Sequence, residues 1–305
     1  VLRSDGVAAS MPTMDGWAGL ALYAVGWSIG WLLLWRTRPL TAPMPGPRPG
    51  VAMPAPRPGV AIVVPARNEA HALTILLPPL VAGLGPDDEI VVIDDHSTDA
   101  TAAVARQCGA RVAPAPELPG GWLGKPHACA YGAGLTVAPI LAFVDADVRA
   151  PADLAARLAT ALADRRDTVV SVQPWHEPGS ITEQASLFAN ITALMGSGGF
   201  TIVGRRVPTR MAFGPILALW RDTYEAIGGH ASVRTMHTED IGIARLVGRA
   251  ELYTGRPDIA FRMYPRGLGE LVAGWTRSIA TGARFTPWWL GLATAAWLCS
   301  AAGGW

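Results

Sequence analysis

Residues 139–151 read PILAFVDADVRAP: an apolar run from Ile140 to Val144 leads into two carboxylates, Asp145 and Asp147, one residue apart. Asp suits a turn, so a strand that surfaces could end this way with no further purpose. The spacing also suits a cation. Carboxylates at i and i+2 repel each other unless positive charge lies between them. Mg²⁺ or Mn²⁺ held by one or two carboxylates, with diphosphate oxygens completing its shell, would supply that charge.

Four other groups of reactive side chains accompany this pair. Pro65-Ala66-Arg67-Asn68-Glu69 follows the apolar run GVAIVV, and Asp94-Asp95 follows EIVVI. Lys125 follows the Gly-rich stretch PGGWLG, and Glu239-Asp240 follows Thr238, a fair N-cap that puts both acids in the first turn of a helix. Each has an ordinary reading as well. Glu69, Glu239 and Asp240 could be first-turn acids favoured by the helix dipole. Asp95 could be a cap, and Lys125 a solvated lysine. Arg205, Arg206 and Arg210 could form a solvated loop or meet a donor phosphate or lipid headgroup, and His237 reads as a surface histidine.

The elements that must position these groups alternate. Strands are expected at 59–66, 88–95, 110–115 and 139–147. Helices are expected from Ala70 to about Pro78, where proline should stop the first, then over 97–109, 125–137 and 150–165. Near-continuous apolar strands alternating with helices predict an α/β fold with a mostly parallel sheet covered on both faces. Ligands collect at the carboxyl ends of such strands. Asp94, Asp95, Asp145 and Asp147 all fall there.

Composition excludes several classes. The 305 residues carry a net charge of +1 and no basic stripe with interleaved aromatics, which gives no basis for nucleic-acid binding. Cys108, Cys129 and Cys299 make neither a CxxC pair nor a zinc spacing. Residues 16–35 lack any charge, and at about 1.5 Å per residue a helix of that length spans roughly 30 Å, the hydrocarbon thickness. Arg36 and Arg38 follow at once, so the positive-inside rule places residues 1–15 outside and residue 36 onward in the cytoplasm, at the cell (inner) membrane. A Pro-rich juxtamembrane linker over 36–58, a catalytic domain over 59–265, an interfacial helix over 266–285 and a second transmembrane segment over 286–305 complete the expected organisation. The last segment stops on GGW with no polar flank, which reads as a chain that continues further.

Taken in order, VVPARNEA, VVIDDHSTDAT, PGGWLGKPHACAYGAG, VDAD and HTEDIGIARLVG resemble the family-2 glycosyltransferases of the GT-A fold, over roughly Gly59 to Gly282. The resemblance implies metal-dependent, inverting transfer of a sugar from a nucleotide-sugar, with UDP as the default nucleotide and Mn or Mg as the metal. It implies that Pro65, Ala66 and Arg67 open the nucleotide pocket and that Glu69 bonds the ribose. One of Asp94 and Asp95 takes a base N–H, and Lys125 meets the nucleotide. Asp147 binds the metal directly, Asp145 meets the ribose or a metal-bound water, and Asp240 of the Glu239-Asp240 pair acts as the base.

Processive polysaccharide synthases of this family carry Gln-x-x-Arg-Trp after the Glu-Asp pair. Here Trp275 and Arg277 stand in the reverse order with no preceding Gln, which argues against polymer synthesis. Gly121-Trp122-Leu123-Gly124-Lys125 is similar to membrane glycosyltransferases of carotenoid-acid and hopanoid pathways, which implies a lipid-like acceptor in the bilayer. Two rivals stand beside this reading. A haloacid-dehalogenase-type phosphatase also uses a strand-end DxD, but at its first strand and followed by Thr, whereas Val148-Arg149 follow here. A catalytically inactive nucleotide-binding membrane scaffold is the other, and the intact acids argue against it.

Overall fold

The computed structural model describes residues 16–41, 57–204, 208–263 and 267–302. In chain order the strands are β1 (Val60–Ala66), β2 (Glu89–Asp94), β3 (Arg111–Pro114), β4 (Ile140–Val144), β5 (Val148–Arg149), β6 (Val169–Gln173), β7 (Trp175–His176), β8 (Ile216–Trp220), β9 (Ala250–Thr254) and β10 (Ala260–Phe261). The α-helices are α1 (Gly16–Leu34), α2 (Ala70–Ala82), α3 (Thr101–Gln107), α4 (Gly124–Gly134), α5 (Leu154–Leu162), α6 (Ile181–Gly196), α7 (Arg221–Ala226), α8 (Glu239–Val247), α9 (Leu268–Ala283) and α10 (Trp288–Ala302), with a 3-10 turn over Gly229–Val233.

The expected sheet forms. Seven strands lie in the order β3-β2-β1-β4-β8-β6-β9. Of these only β8 runs antiparallel to its neighbours. Both faces of β1 are buried, which is why it reads as one apolar run rather than an alternation. Val60, Ile62 and Val64 pack with Leu73, Leu76 and Leu77 of α2 and Leu154 and Leu158 of α5. Ala61 and Val63 pack on the other face with Ala128 and Cys129 of α4 and Ile243 of α8. A second, three-stranded sheet orders β5-β10-β7.

Three details depart from the sequence reading. Helix α2 does not stop at Pro78 but continues through Pro78 and Pro79 to Ala82. The buried face of Leu73, Leu76, Leu77 and Leu80 holds it against the sheet, and this tertiary packing outweighs the missing N–H groups. The first residues of the expected linker are docked. Leu40 is buried, and its N–H donates to the Thr254 carbonyl at 3.0 Å. The proline-rich residues 42–56 lie outside the described residues. Thr238 is the N-cap of α8 by position, yet its side chain makes no capping bond.

Both apolar ends form helices. Among the described residues one helix, α1, is long and apolar enough to cross a membrane. Helix α10 is described over 15 residues, and residues 303–305 of the expected segment lie outside the described residues. The two helices pack against each other where α1 is narrow: a Cβ at Gly26 would fall 2.1 Å from Ser300 Oγ, and one at Gly30 would fall 2.4 Å from the Trp297 ring. Their other faces leave Trp17, Leu20, Trp31, Trp288 and Leu292 exposed.

Candidate active site

Register brings the reactive groups to one edge. Ala66 at the end of β1 pairs with Asp94 at the end of β2, and the Asp95 N–H donates to the Ala66 carbonyl at 2.8 Å. Because β4 is the other neighbour of β1, Asp145 emerges at the same edge. The antiparallel β8 begins there too, and the Asp145 N–H donates to the Pro215 carbonyl at 2.9 Å. This fixes the turn that carries Asp147.

The loops after β1 and β2 are zipped together. Asn68 and His96 both adopt a φ of 57°, a left-handed conformation that Asn and His tolerate better than most side chains. The Asn68 side chain accepts from the Thr98 N–H at 2.8 Å, and the Asn68 N–H donates to Ser97 Oγ at 3.0 Å. The Glu69 N–H donates to Thr101 Oγ1 at 2.8 Å, so Glu69 is held at the start of α2.

These contacts divide the Asp94-Asp95 pair. Asp94 Oδ1 accepts from the Ser97 N–H at 3.2 Å and serves the turn. Asp95 faces outward toward Arg67, 3.9 Å from its Nη1, and His96, 3.2 Å from its Nδ1. A Cβ at Gly124 would come within 2.7 Å of Asp95 Oδ2, so the glycine before Lys125 lets α4 start against this carboxylate.

Lys125 joins the donor edge to α8. Its Nζ lies 2.7 Å from Asp145 Oδ1 and 3.0 Å from Glu239 Oε1. Burial works to lower its pKa, but the two carboxylates outweigh it and hold the ammonium well above its ordinary value. Asp147, next along the turn, has no ion-pair partner among the described residues. Asp147 is exposed at the site mouth, yet desolvation by the neighbouring protein, then the charges of Asp145 and Glu69, push its carboxyl up to about 7. Asp240 is raised to about 7 by burial first and then by Glu239, against the pull of Lys125. Beneath them, burial holds the Cys129 thiol well above its ordinary value, which makes it a packing residue rather than a nucleophile.

This arrangement fits a divalent cation. Lys125 already neutralises Asp145, so the carboxylate left for a metal is Asp147. Among the described residues no group of three or more His, Cys, Asp or Glu could hold a metal ion. A cation here would therefore complete its shell with oxygens of a bound diphosphate, as Mg²⁺ commonly does.

Sequence reasoning missed the segment from Met211 to Pro215, which carries no titratable group. A Cβ at Gly214 would lie 3.5 Å from Asp240 Oδ2 and 3.6 Å from Lys125 Nζ, so Gly214 walls the space between them. Its only sequence signal is a Gly-Pro step before an apolar strand. Of the arginines singled out, Arg205 and Arg206 lie outside the described residues. Arg210 lines a separate hollow of about 170 Å³ with Arg245, Phe285 and Trp289, and His237 is exposed as expected. Trp275 of α9 is buried, and its indole N–H donates to Ser186 Oγ at 2.5 Å.

Beyond Asp240 the site opens into an apolar cavity of about 440 Å³ walled by α6, the Met211–Pro215 segment, α9 and α10. Its size is that of a small-molecule pocket.

The profile described as "Glycosyl transferase family 2" matches residues 61–228. A 4,4'-diaponeurosporenoate glycosyltransferase of Staphylococcus haemolyticus (strain JCSC1435) is 31% identical over 234 residues, covering 73% of this chain and 61% of that protein. The protein of the same name from Staphylococcus aureus (strain MRSA252) is 34% identical over 230 residues, covering 72% and 60%. The chain thus spans about three fifths of the length of the curated relatives it matches. Among solved structures, a mannosyltransferase of Pyrobaculum calidifontis in complex with GDP-Man and Mn²⁺ matches with a TM-score of 0.55 at 22% identity, over 94% of this chain and 87% of that chain. This likeness is one of fold.

Proposed function

The chain belongs to glycosyl transferase family 2, and from that premise we propose that it transfers a sugar from a nucleotide-sugar, by default a UDP-sugar, to an apolar acceptor with a carboxyl or hydroxyl head. The observation that carries this reading is the cluster at the strand edge. Lys125 bridges Asp145 to Glu239, Asp147 is left for a cation, and Asp240 stands beside them at the mouth of the apolar cavity.

Each residue then has a task. Pro65, Ala66 and Arg67 border the nucleotide, Glu69 bonds the ribose, and Asp95 rather than Asp94 takes the base N–H, since Asp94 is spent on its own turn. Asp147 would hold Mn²⁺ or Mg²⁺, with Asp145 beside it at the ribose or the metal site, and the cation would stabilise negative charge on the departing diphosphate. Lys125 adds a fixed positive charge to the same region. The acceptor oxygen forms its bond to the anomeric carbon as the bond from that carbon to the diphosphate oxygen breaks, and the nucleoside diphosphate leaves. A single displacement inverts the anomeric centre. An alcohol gives its proton to Asp240, a step typically worth about 10²–10⁴ in rate. Glu239, buried against Lys125, positions that lysine rather than touching substrate.

The names of the two staphylococcal relatives support a carotenoid-type acid as acceptor. An acceptor of that kind lives in a bilayer. The exposed apolar faces of α1 and α10, and the exposed Leu268, Val272 and Ile279 of α9, support a chain held at a membrane with its sheet domain on the cytoplasmic side.

The test is calorimetric titration with UDP and then GDP, each with and without Mn²⁺. Metal-dependent binding of one nucleotide is expected. A folded protein that binds neither would move the weight to an inactive membrane scaffold.

A further inference from the structure

The cavity beyond Asp240 is an open groove between three helices. On α9 it is met by Trp275, Ser278, Ile279 and Gly282, and on α10 by Gly291, Thr294, Ala295 and Leu298. Both sets follow the i, i+3, i+4, i+7 spacing of one helical face. Ser278, Ile279, Gly291 and Ala295 are exposed, so the space is a groove open to the surroundings. The small residues Gly282, Gly291 and Ala295, faced by Ala193 and Gly196 of α6, leave it a volume of about 440 Å³.

A second observation points to a ligand. Thr294 is 6% exposed, and its hydroxyl finds no hydrogen-bond partner. A helical threonine commonly bonds back to the carbonyl four residues earlier, as Thr192 does to Phe188 at 2.9 Å. A buried hydroxyl without a partner is costly, so Thr294 marks a place on the wall where an accepting group of a bound molecule would be favoured.

We infer that this cavity is the acceptor channel: it takes one elongated hydrocarbon chain, with the chain's oxygen head against Asp240 and its tail between α9 and α10. The inference rests on the glycosyl-transfer reading for the head and on the cavity alone for the tail. The orientation follows from the two ends. The inner end holds Asp240, the charged side chain of the lining, beside Gly214. The outer end lies on α10, where Trp288 of the lining is 77% exposed and stands beside the exposed Leu292. A chain drawn sideways from a bilayer would thus reach the donor edge without crossing water.

The experiment fills the channel and measures binding directly. Gly282→Leu suits this because a Cβ there meets nothing nearer than Met211 Cε at 4.0 Å, and replacing a helical glycine should not weaken α9. Ala193→Leu fills the channel from the opposite wall. With the protein in lipid nanodiscs, all-trans-retinoate serves as the probe, read by quenching of tryptophan emission, since Trp275 and Trp288 border the cavity. Wild type is expected to bind it. Each variant should bind at least tenfold more weakly, with metal-dependent nucleotide binding and thermal unfolding unchanged. Wild type that does not bind, or variants that bind as wild type does, would overturn the inference. Failure of the transfer reading looks different: no nucleotide binds, while retinoate binding still responds to Gly282→Leu.

Discussion

Lys125 Nζ lies 2.7 Å from Asp145 Oδ1, so the first residue pair of α4 is tied to the end of β4 across the donor edge. The same ammonium reaches Glu239 at 3.0 Å, which makes one lysine the link between the nucleotide side and α8. Lys125→Met should therefore do more than weaken nucleotide binding. Glu239, with a side chain 7% exposed, would be left as an unpaired buried charge. A loss of stability on the order of 2 kcal/mol is expected, at the low side for a buried pair because Lys125 itself is 38% exposed. Urea unfolding of Lys125→Met and of Lys125→Met/Glu239→Gln checks this. The double variant should recover most of the loss, and no recovery would break the argument.

Asp147 has no ion-pair partner among the described residues, so Asp147→Ala should abolish the Mn²⁺ dependence of nucleotide binding. Relief of repulsion with Asp145 and Glu69 should leave stability equal or higher. Calorimetry for binding and thermal unfolding for stability read the two effects separately. Unchanged metal dependence would remove Asp147 from the metal site.

Asp240→Asn separates two acceptor chemistries. An alcohol must lose a proton as it attacks, and removing the base should cost about 10²–10⁴ in rate. A carboxylic acid is already ionised at neutral pH and should retain substantial turnover. Rates with a polyprenol and with a polyene carboxylate under identical donor conditions make the comparison. Equal losses would mean that Asp240 serves both acceptors in some way other than proton removal.

His230 sets an acid limit on stability. It is 1% exposed beside the Phe143 ring, with Nδ1 2.9 Å from the Tyr224 hydroxyl. Burial first, then the charge of Lys125, depresses its pKa from 6.5 to about 3. Between those values the unfolded chain binds a proton that the folded chain does not, so this contribution is intact above pH 6.5 and is lost as pH falls toward 3. The slope from this one group is up to about 1.4 kcal/mol per pH unit. Urea midpoints from pH 7 to pH 4 should fall more steeply for wild type than for His230→Asn. Parallel curves would show that His230 is not held neutral.

Much of the donor edge was legible in the chain itself. A buried parallel strand must be apolar throughout, so an acid at its carboxyl end stands out, as Asp94, Asp95, Asp145 and Asp147 do. The same physics gave the alternation of strands and helices and the order of the motifs. What the local sequence could not carry was which acids are already used. Asp94 serves its own turn, Asp145 is neutralised by Lys125, and Glu239 is buried behind that lysine. These are contacts between residues far apart in the chain, and no local pattern encodes them. Nor could it carry α2 passing through Pro78, where four buried leucines outweigh a local breaker. The apolar cavity is the clearest case. Gly282, Gly291 and Ala193 are unremarkable in sequence, and they become a channel only because α6, α9 and α10 bring their small faces together in front of Asp240.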